Sequence, residues 1–250
     1  MEYIEVEDAV ALPGLRLVLT AGVPGPWGEA AKGVLHVKGI EYTPVRQVAG
    51  GPNETLMRWT RQNSAPVAMY ADERPRSGWA EILFLAERLE PSPRLVPADP
   101  SERAQMLGLC HEICGEHGLG WTRRLTLMGG DDAAQRDSMA WKYGIGEADA
   151  VAASVARVNQ LLALLADQLR TQREAGRQYF LGETLSALDI YWAAFSNLIE
   201  PLPHEKSPMP DFLRKIYDYS SVQGGAAADP LLIEHRDFVF ERHLMLPQDF

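Results

Sequence analysis

The chain offers several places where residue types and spacing could do chemistry. At Ala65-Pro66 a proline follows the polar stretch Arg61-Gln62-Asn63 and opens the apolar run that ends at Tyr70. A proline cannot donate in a ladder, so it suits a strand's first residue, and Ala65-Pro66 reads either as a plain turn or as a cis pair, which a tight turn there often needs. Such a turn leaves the N–H and C=O of Ala65 facing sideways, where an extended peptide ligand could pair with them. Gly25-Pro26-Trp27-Gly28-Glu29 has the signature of a helix start, with Gly25 at the N-cap, Pro26 at the first helical position and Glu29 in the first turn. Arg76-Ser77-Gly78 leads into another helix, and Ser77 reads either as a ligand contact or as the plain cap of that helix. Arg76 could pair with a carboxylate or stand solvated.

Two further groupings point to structure. Cys110 and Cys114 are four apart in a helical pattern, on one face, and a disulfide across one turn would constrain almost nothing. They read as reduced, buried thiols in a core helix. His111 and His117 are near, but His111 is expected to point away from the cysteine face, and no second ligand pair stands at zinc spacing, so no metal is expected. Ser186 and Asp189, three apart, form a capping box ahead of an apolar run.

The elements that must position these residues alternate at first. Residues 1–13 read as a polar, irregular N-terminal arm. Leu15 to Leu19 is a first strand, and a helix runs from Pro26 to the basic last turn and Gly stop at Lys38-Gly39. Ile40 to Val45 is a second strand, Glu54 to Thr60 a short helix, Pro66 to Tyr70 a third strand, Asp72 to Pro75 a turn, and Trp79 to Leu89 a helix. Glu90 to Pro100 is rich in proline and marks a linker. Strand signals then vanish: Ser101 caps a long helix, Gly115, Gly118 and Gly120 interrupt it, and Gly129 to Asp132 is a loop. Ala148 to Arg173 is a second long helix burying Val151, Val155, Val158, Leu161, Leu162, Leu165 and Leu169. A short helix near Asp211 to Tyr219 and a last one from Asp229 to about Leu244 follow, with Glu234, Arg236, Asp237, Glu241 and Arg242 as a solvated face.

At 250 residues, with 46% hydrophobic and 23% charged residues, the chain is an ordinary globular protein with room for two domains. A net charge of −10 repels a phosphate backbone, so nucleic-acid binding is not expected. No apolar run is long enough to span a membrane, and the acidic start, Met-Glu-Tyr-Ile-Glu-Val-Glu-Asp, is unlike a signal peptide. A cytoplasmic protein is expected.

The segment from Pro26 to Tyr42, the Ala65-Pro66 turn, and Leu181-Gly182 followed by Ser186-Ala187-Leu188-Asp189-Ile190 together resemble the glutathione transferase superfamily, over roughly residues 15 to 220. The resemblance implies an α/β plus all-α architecture: a thioredoxin-like glutathione-binding domain at 1–90, a linker at 91–100 and an all-helical domain at 101–250. It further implies a cleft that takes glutathione on one wall and an apolar electrophile on the other, with helical-domain residues near Cys110, Cys114 and Trp121 on the second wall, and a homodimer. Glutathione would bind along Pro26, Trp27, Ala65, Pro66, Arg76 and Ser77, as co-substrate, with no metal. The chain departs from the family at the activating side chain. Gly25 stands where the Cys and Ser branches carry theirs, and Ala21 where the Tyr branch does, leaving Thr20 as the nearby hydroxyl. Activation then falls to the orphan N–H groups and positive dipole end of the helix start. Two functions follow from this pattern: an enzyme that conjugates glutathione by stabilising its thiolate, or a binding protein that keeps the fold without the chemistry.

Overall fold

The computed structural model describes residues 1–127 and 150–250. The N-terminal arm is ordered by the sheet beside it. One turn of helix, α1 (Val6–Ala9), buries Val6 and Ala9, and Ile4 pairs with Val45, accepting from Arg46 N at 2.9 Å and donating to Pro44 O at 3.1 Å. The irregular arm expected from its polarity is corrected accordingly: its few apolar residues find the open edge of a strand distant in sequence. β1 (Leu15–Thr20) follows, then α2 (Pro26–Val37), β2 (Thr43–Gln47), α3 (Glu54–Thr60), β3 (Val67–Tyr70) and α4 (Trp79–Leu89).

The sheet order is β2-β1-β3. β1 runs parallel to β2, with Arg16 opposite Thr43 and Thr20 opposite Gln47, and antiparallel to β3, with Leu15 opposite Tyr70 and Val18 opposite Val67. A parallel neighbour requires a crossover, and α2 supplies it. β1 is buried on both faces: Leu17 and Leu19 join the core under α2 and α4, while Val18 joins Val6, Ala9, Leu56 and Val67 under α1 and α3. The second strand starts at Thr43 rather than Ile40 because the end of α2 takes up the residues between. Gly39, at φ +63°, donates to His36 O and Ile40 N donates to Leu35 O, both at 2.9 Å, a Schellman closure that a residue without Cβ makes easy.

Past the linker the described chain is helical: α5 (Pro100–Cys114), α6 (Leu119–Leu127), α7 (Ala150–Glu174), α8 (Ala187–Phe195), α9 (Asp211–Tyr217) and α10 (Pro230–His243). The cap of α5 is Asp99, which accepts from Ser101 N and Glu102 N at 2.9 Å with Pro100 at the first position; Ser101 lies inside the helix. The loop expected at Gly129 to Asp132, the helix start at Ala148 and the burial of Val151 lie outside the described residues. Val155, Val158, Leu161, Leu162, Leu165 and Leu169 are buried as the pattern requires.

All nine residues of α8 are buried, and α2, α5 and α10 pack around it. Gly33 makes the closest approach possible, since a Cβ there would lie 2.9 Å from Ile190 Cγ2. The sheet unit and the helical unit therefore share one core. The capping box is present: Asp189 Oδ2 accepts from Ser186 N and Ser186 Oγ, both at 2.8 Å. On α10 the solvated face needs correction at Arg236, which is buried and donates to Glu200 O at 2.7 Å and to Asp237 at 2.8 Å. Its neighbour His235 is fully buried against Asp189 at 2.9 Å. No described helix is long and apolar enough to cross a membrane.

Candidate functional site

A cleft of about 770 Å3 opens between the start of α2, the turn before β3, the start of α4 and the helical unit. Its first wall begins where β1 gives way to α2. Gly25 is the N-cap, with extended backbone, and Pro26 is the first helical residue, buried behind the opening. A Cβ built on Gly25 would meet nothing within 4 Å, so this position faces open space although it carries no side chain. Thr20 lines the same wall, but its hydroxyl donates to Gln47 Oε1 at 2.6 Å. Gln47 is in turn fixed by donating to Val48 O at 2.9 Å and Asn63 O at 3.1 Å. The one proton of Thr20 is thus committed.

The Ala65-Pro66 bond is cis, both residues line the cleft, and Ala65 makes no hydrogen bond among the described residues. At the start of α4 the N-cap is Gly78, so Ser77 stands one residue outside the helix and is exposed; the cap reading of Ser77 is corrected. Ser77, Gly78 and Trp79 line the cleft. The N–H groups of Ser77 and Gly78 donate to Glu81 Oε2 at 3.2 and 3.1 Å, and Arg74 donates to Glu81 Oε1 at 2.7 Å. Arg74 and then these N–H groups hold the Glu81 carboxyl below its usual pKa. Glu81 was readable as a carboxylate at the third position of a helix. Arg76 is not brought to the cleft. Its backbone pairs with Ala68 and its guanidinium with Glu73 at 2.5 Å, which pulls it to the outer edge of the sheet.

Helical residues build the opposite wall. Trp27, from α2, crosses to it: its indole N–H donates to Cys114 O at 2.9 Å, and its ring meets Phe195 edge-on at 4.9 Å. Gly120 permits this, because a Cβ there would sit 2.3 Å from the Phe195 ring. The Arg124 guanidinium lies 4.8 Å over the Trp27 ring. Trp79 is held by Tyr191, whose hydroxyl donates to Trp79 O at 3.2 Å. Both helix starts that face the cleft are therefore anchored to the helical unit.

His111 and Cys114 line the cleft together, three residues apart on α5. His111 is exposed whereas both cysteines are buried, so it stands off the buried cysteine face as expected, yet it lines the cleft beside Cys114. Trp121 lines the cleft as well, whereas Cys110 is sealed in the core. Both cysteines are free, and burial pushes both thiols well above the ordinary range, so neither is a nucleophile at neutral pH. Tyr217, missed in the sequence because its helix is short and its face mixed, lines the cleft and belongs to the apolar cluster against which Val23, just ahead of Gly25, packs. Burial raises its hydroxyl and the Arg124 charge opposes that shift, so it stays a neutral donor at physiological pH. Among the described residues no group of three His, Cys, Asp or Glu could hold a metal.

No protein-family model matches the sequence, and no curated protein matches it. Solved structures do. Glutathione transferase Omega 3C from Trametes versicolor superposes with a TM-score of 0.62 at 16% identity, over 95% of this chain and 89% of the other. A glutathione S-transferase from Methylobacillus flagellatus with glutathione bound gives 0.65 at 14%, over 92% and 96%. Ure2p in complex with glutathione gives 0.65 at 15%, also over 92% and 96%. Matching along nearly the whole of each chain at so little identity is a likeness of architecture, a thioredoxin-like unit followed by an all-helical one: this chain carries the glutathione transferase fold.

Proposed function

We propose that the cleft binds glutathione and conjugates it to an apolar electrophile. The observation that supports this reading most is the juxtaposition of Ala65, whose peptide groups make no hydrogen bond among the described residues, with the open N-terminus of α2 at Gly25, in one cleft large enough for a tripeptide and a second small molecule. The cysteinyl backbone of the peptide would pair with Ala65, and its sulfur would lie at the helix start near Thr20, Gly25 and Trp27. Orphan N–H groups and the dipole end there favour the thiolate. Ser77, which lines the cleft at the start of α4, would meet the far end of the peptide. In the reaction the thiol proton passes to solvent, the sulfur lone pair attacks the electrophilic carbon, a carbon–sulfur bond forms, and the leaving group departs with its bonding electrons. The protein contributes positioning and charge stabilisation, with no covalent intermediate of its own.

A second reading, a binding protein that keeps the fold without catalysis, is favoured by two observations. Gly25 has no side chain to donate to the sulfur, and the Thr20 proton is held by Gln47. One experiment separates them. Retention on glutathione resin together with turnover of 1-chloro-2,4-dinitrobenzene above the uncatalysed rate supports the enzyme. Retention without turnover, or flow-through with no thermal shift in glutathione, supports the protein that keeps the fold without the chemistry, and the second of these outcomes also removes the glutathione reading.

A further inference from the structure

Glutathione carries an ammonium and a carboxylate side by side on its glutamyl end. An incoming carboxylate at the start of α4 would seek the N–H groups of Ser77 and Gly78, because unpaired donors at a helix N-terminus favour an anion. In this chain those two groups are taken. Glu81 folds back from the first turn and accepts from both, and Arg74 secures its other oxygen. Gly78 makes room for this: a Cβ at that position would lie 3.3 Å from Glu81 Oε2 and 3.4 Å from its Cγ, so a side-chain-bearing residue would crowd the carboxylate. Since Gly78 has no side chain to return the favour, only the Glu81 half of a capping box exists, and it occupies the N–H groups of two residues, Ser77 and Gly78, that line the cleft.

Resting on the thiol-peptide reading above, we infer that Glu81 is a specificity-determining residue, an internal occupant of the N–H pair that a ligand carboxylate would need. A peptide bringing a carboxylate must expel Glu81 from its N–H pair and from Arg74 or lie beside it as a like charge, whereas one bringing only an ammonium can approach the Glu81 carboxylate, which Arg74 already pairs, without displacing it. The cleft therefore discriminates against the glutamyl carboxylate and in favour of an amine. An ordinary cap explains the same hydrogen bonds, but it predicts a loss of stability on removal and no change in which ligand is preferred.

The test is calorimetric titration of the full chain and of the Glu81→Ala and Glu81→Gln variants with two peptides: glutathione, and 4-aminobutanoyl-Cys-Gly, which keeps the thiol, the amide skeleton and the ammonium but lacks the glutamyl carboxylate. Thermal melts establish that each variant is folded. The affinity ratio of glutathione to the amine peptide is expected to rise about tenfold in Glu81→Ala, the size of one charge-assisted hydrogen bond exchanged. Glu81→Gln, which keeps an acceptor but loses the charge, is expected to fall between. A ratio that changes less than about threefold in Glu81→Ala, or that moves toward the amine peptide, overturns the inference while leaving the glutathione reading intact. If neither peptide binds the parent or either variant, the glutathione reading falls and the inference with it.

Discussion

Two helix starts in this molecule use the same device in opposite surroundings. At α8 the carboxylate of Asp189 accepts from Ser186 N and Oγ, from Phe180 N at 2.9 Å and from His235, all of it buried. At α4 the carboxylate of Glu81 accepts from Ser77 N, Gly78 N and Arg74, with 37% of its side chain exposed. Each carboxylate stands three residues beyond an N-cap and satisfies orphan N–H groups. Burial separates their roles. Releasing Asp189 would leave several donors without partners in a place water cannot reach, so that node ties α8, α10 and the loop before them into one core. Releasing Glu81 costs little, because water or a ligand can replace it, and a group that can be replaced is one that can select.

The contrast can be broken by substitution, beginning with the largest expected effect. Asp189→Ala is expected to destabilise the fold by about 3–5 kcal/mol, read as a lower urea midpoint, since it leaves the Phe180 and Ser186 N–H groups and His235 buried and unpaired; a loss under about 1 kcal/mol would show that burial does not separate the two starts. Gly25→Ser places a hydroxyl in open space at the third helix start, that of α2. If the dipole end alone now holds the thiolate, a donor there is expected to raise kcat/KM for 1-chloro-2,4-dinitrobenzene about tenfold or more. The pH profile gives the sign. Thiolate is the nucleophile and the helix start favours it, so the parent rate should climb with pH and level off below the free thiol pKa of about 8.5, and the Gly25→Ser profile should reach its plateau at still lower pH. A variant with unchanged rate and profile would place the sulfur elsewhere. Glu81→Ala is expected to cost about 1 kcal/mol of stability or less, as an exposed cap does; a cost equal to that of Asp189→Ala would erase the comparison. Ser77→Ala, at an exposed residue outside the helix, is expected to leave stability within about 0.5 kcal/mol and to weaken retention on glutathione resin. Unchanged retention would remove Ser77 from the contacts.

What was legible in the sequence was what short-range chemistry determines. The start of α2 follows from Gly25-Pro26, its end from Lys38-Gly39, and the bounds of α3 and α4 from the apolar spacing, and the structure places them there. The Ser186–Asp189 box is equally local. Long-range pairing was not legible: Ile4 gains its bridge only because β2 presents a free edge, and Arg236 is drawn inward by the Glu200 carbonyl, thirty-six residues away. The cleft was half readable. Ala65-Pro66 and Gly25 announce themselves by proline and glycine, whereas Arg76 is carried off by a strand-like pairing with Ala68, and His111, Arg124 and Tyr217 meet the cleft only through helix packing. Asp99 and Glu81 both stand where a helix start can be capped, but Pro100 continues the proline-rich stretch that reads as linker and masks the first, and the neighbouring Ser77, a commoner capping residue, masks the second.

The central claim, that a thiol tripeptide lies between the Ala65 peptide groups and the start of α2, is tested most directly by titrating isotopically labelled protein with glutathione and following backbone amide and indole signals. The account predicts saturable shifts concentrated at Ala65, Ser77, Gly78 and the Trp27 indole, with the Cys110 and Asp189 amides little moved. Spectra unchanged at millimolar glutathione, or shifts confined to residues outside the cleft, would contradict it.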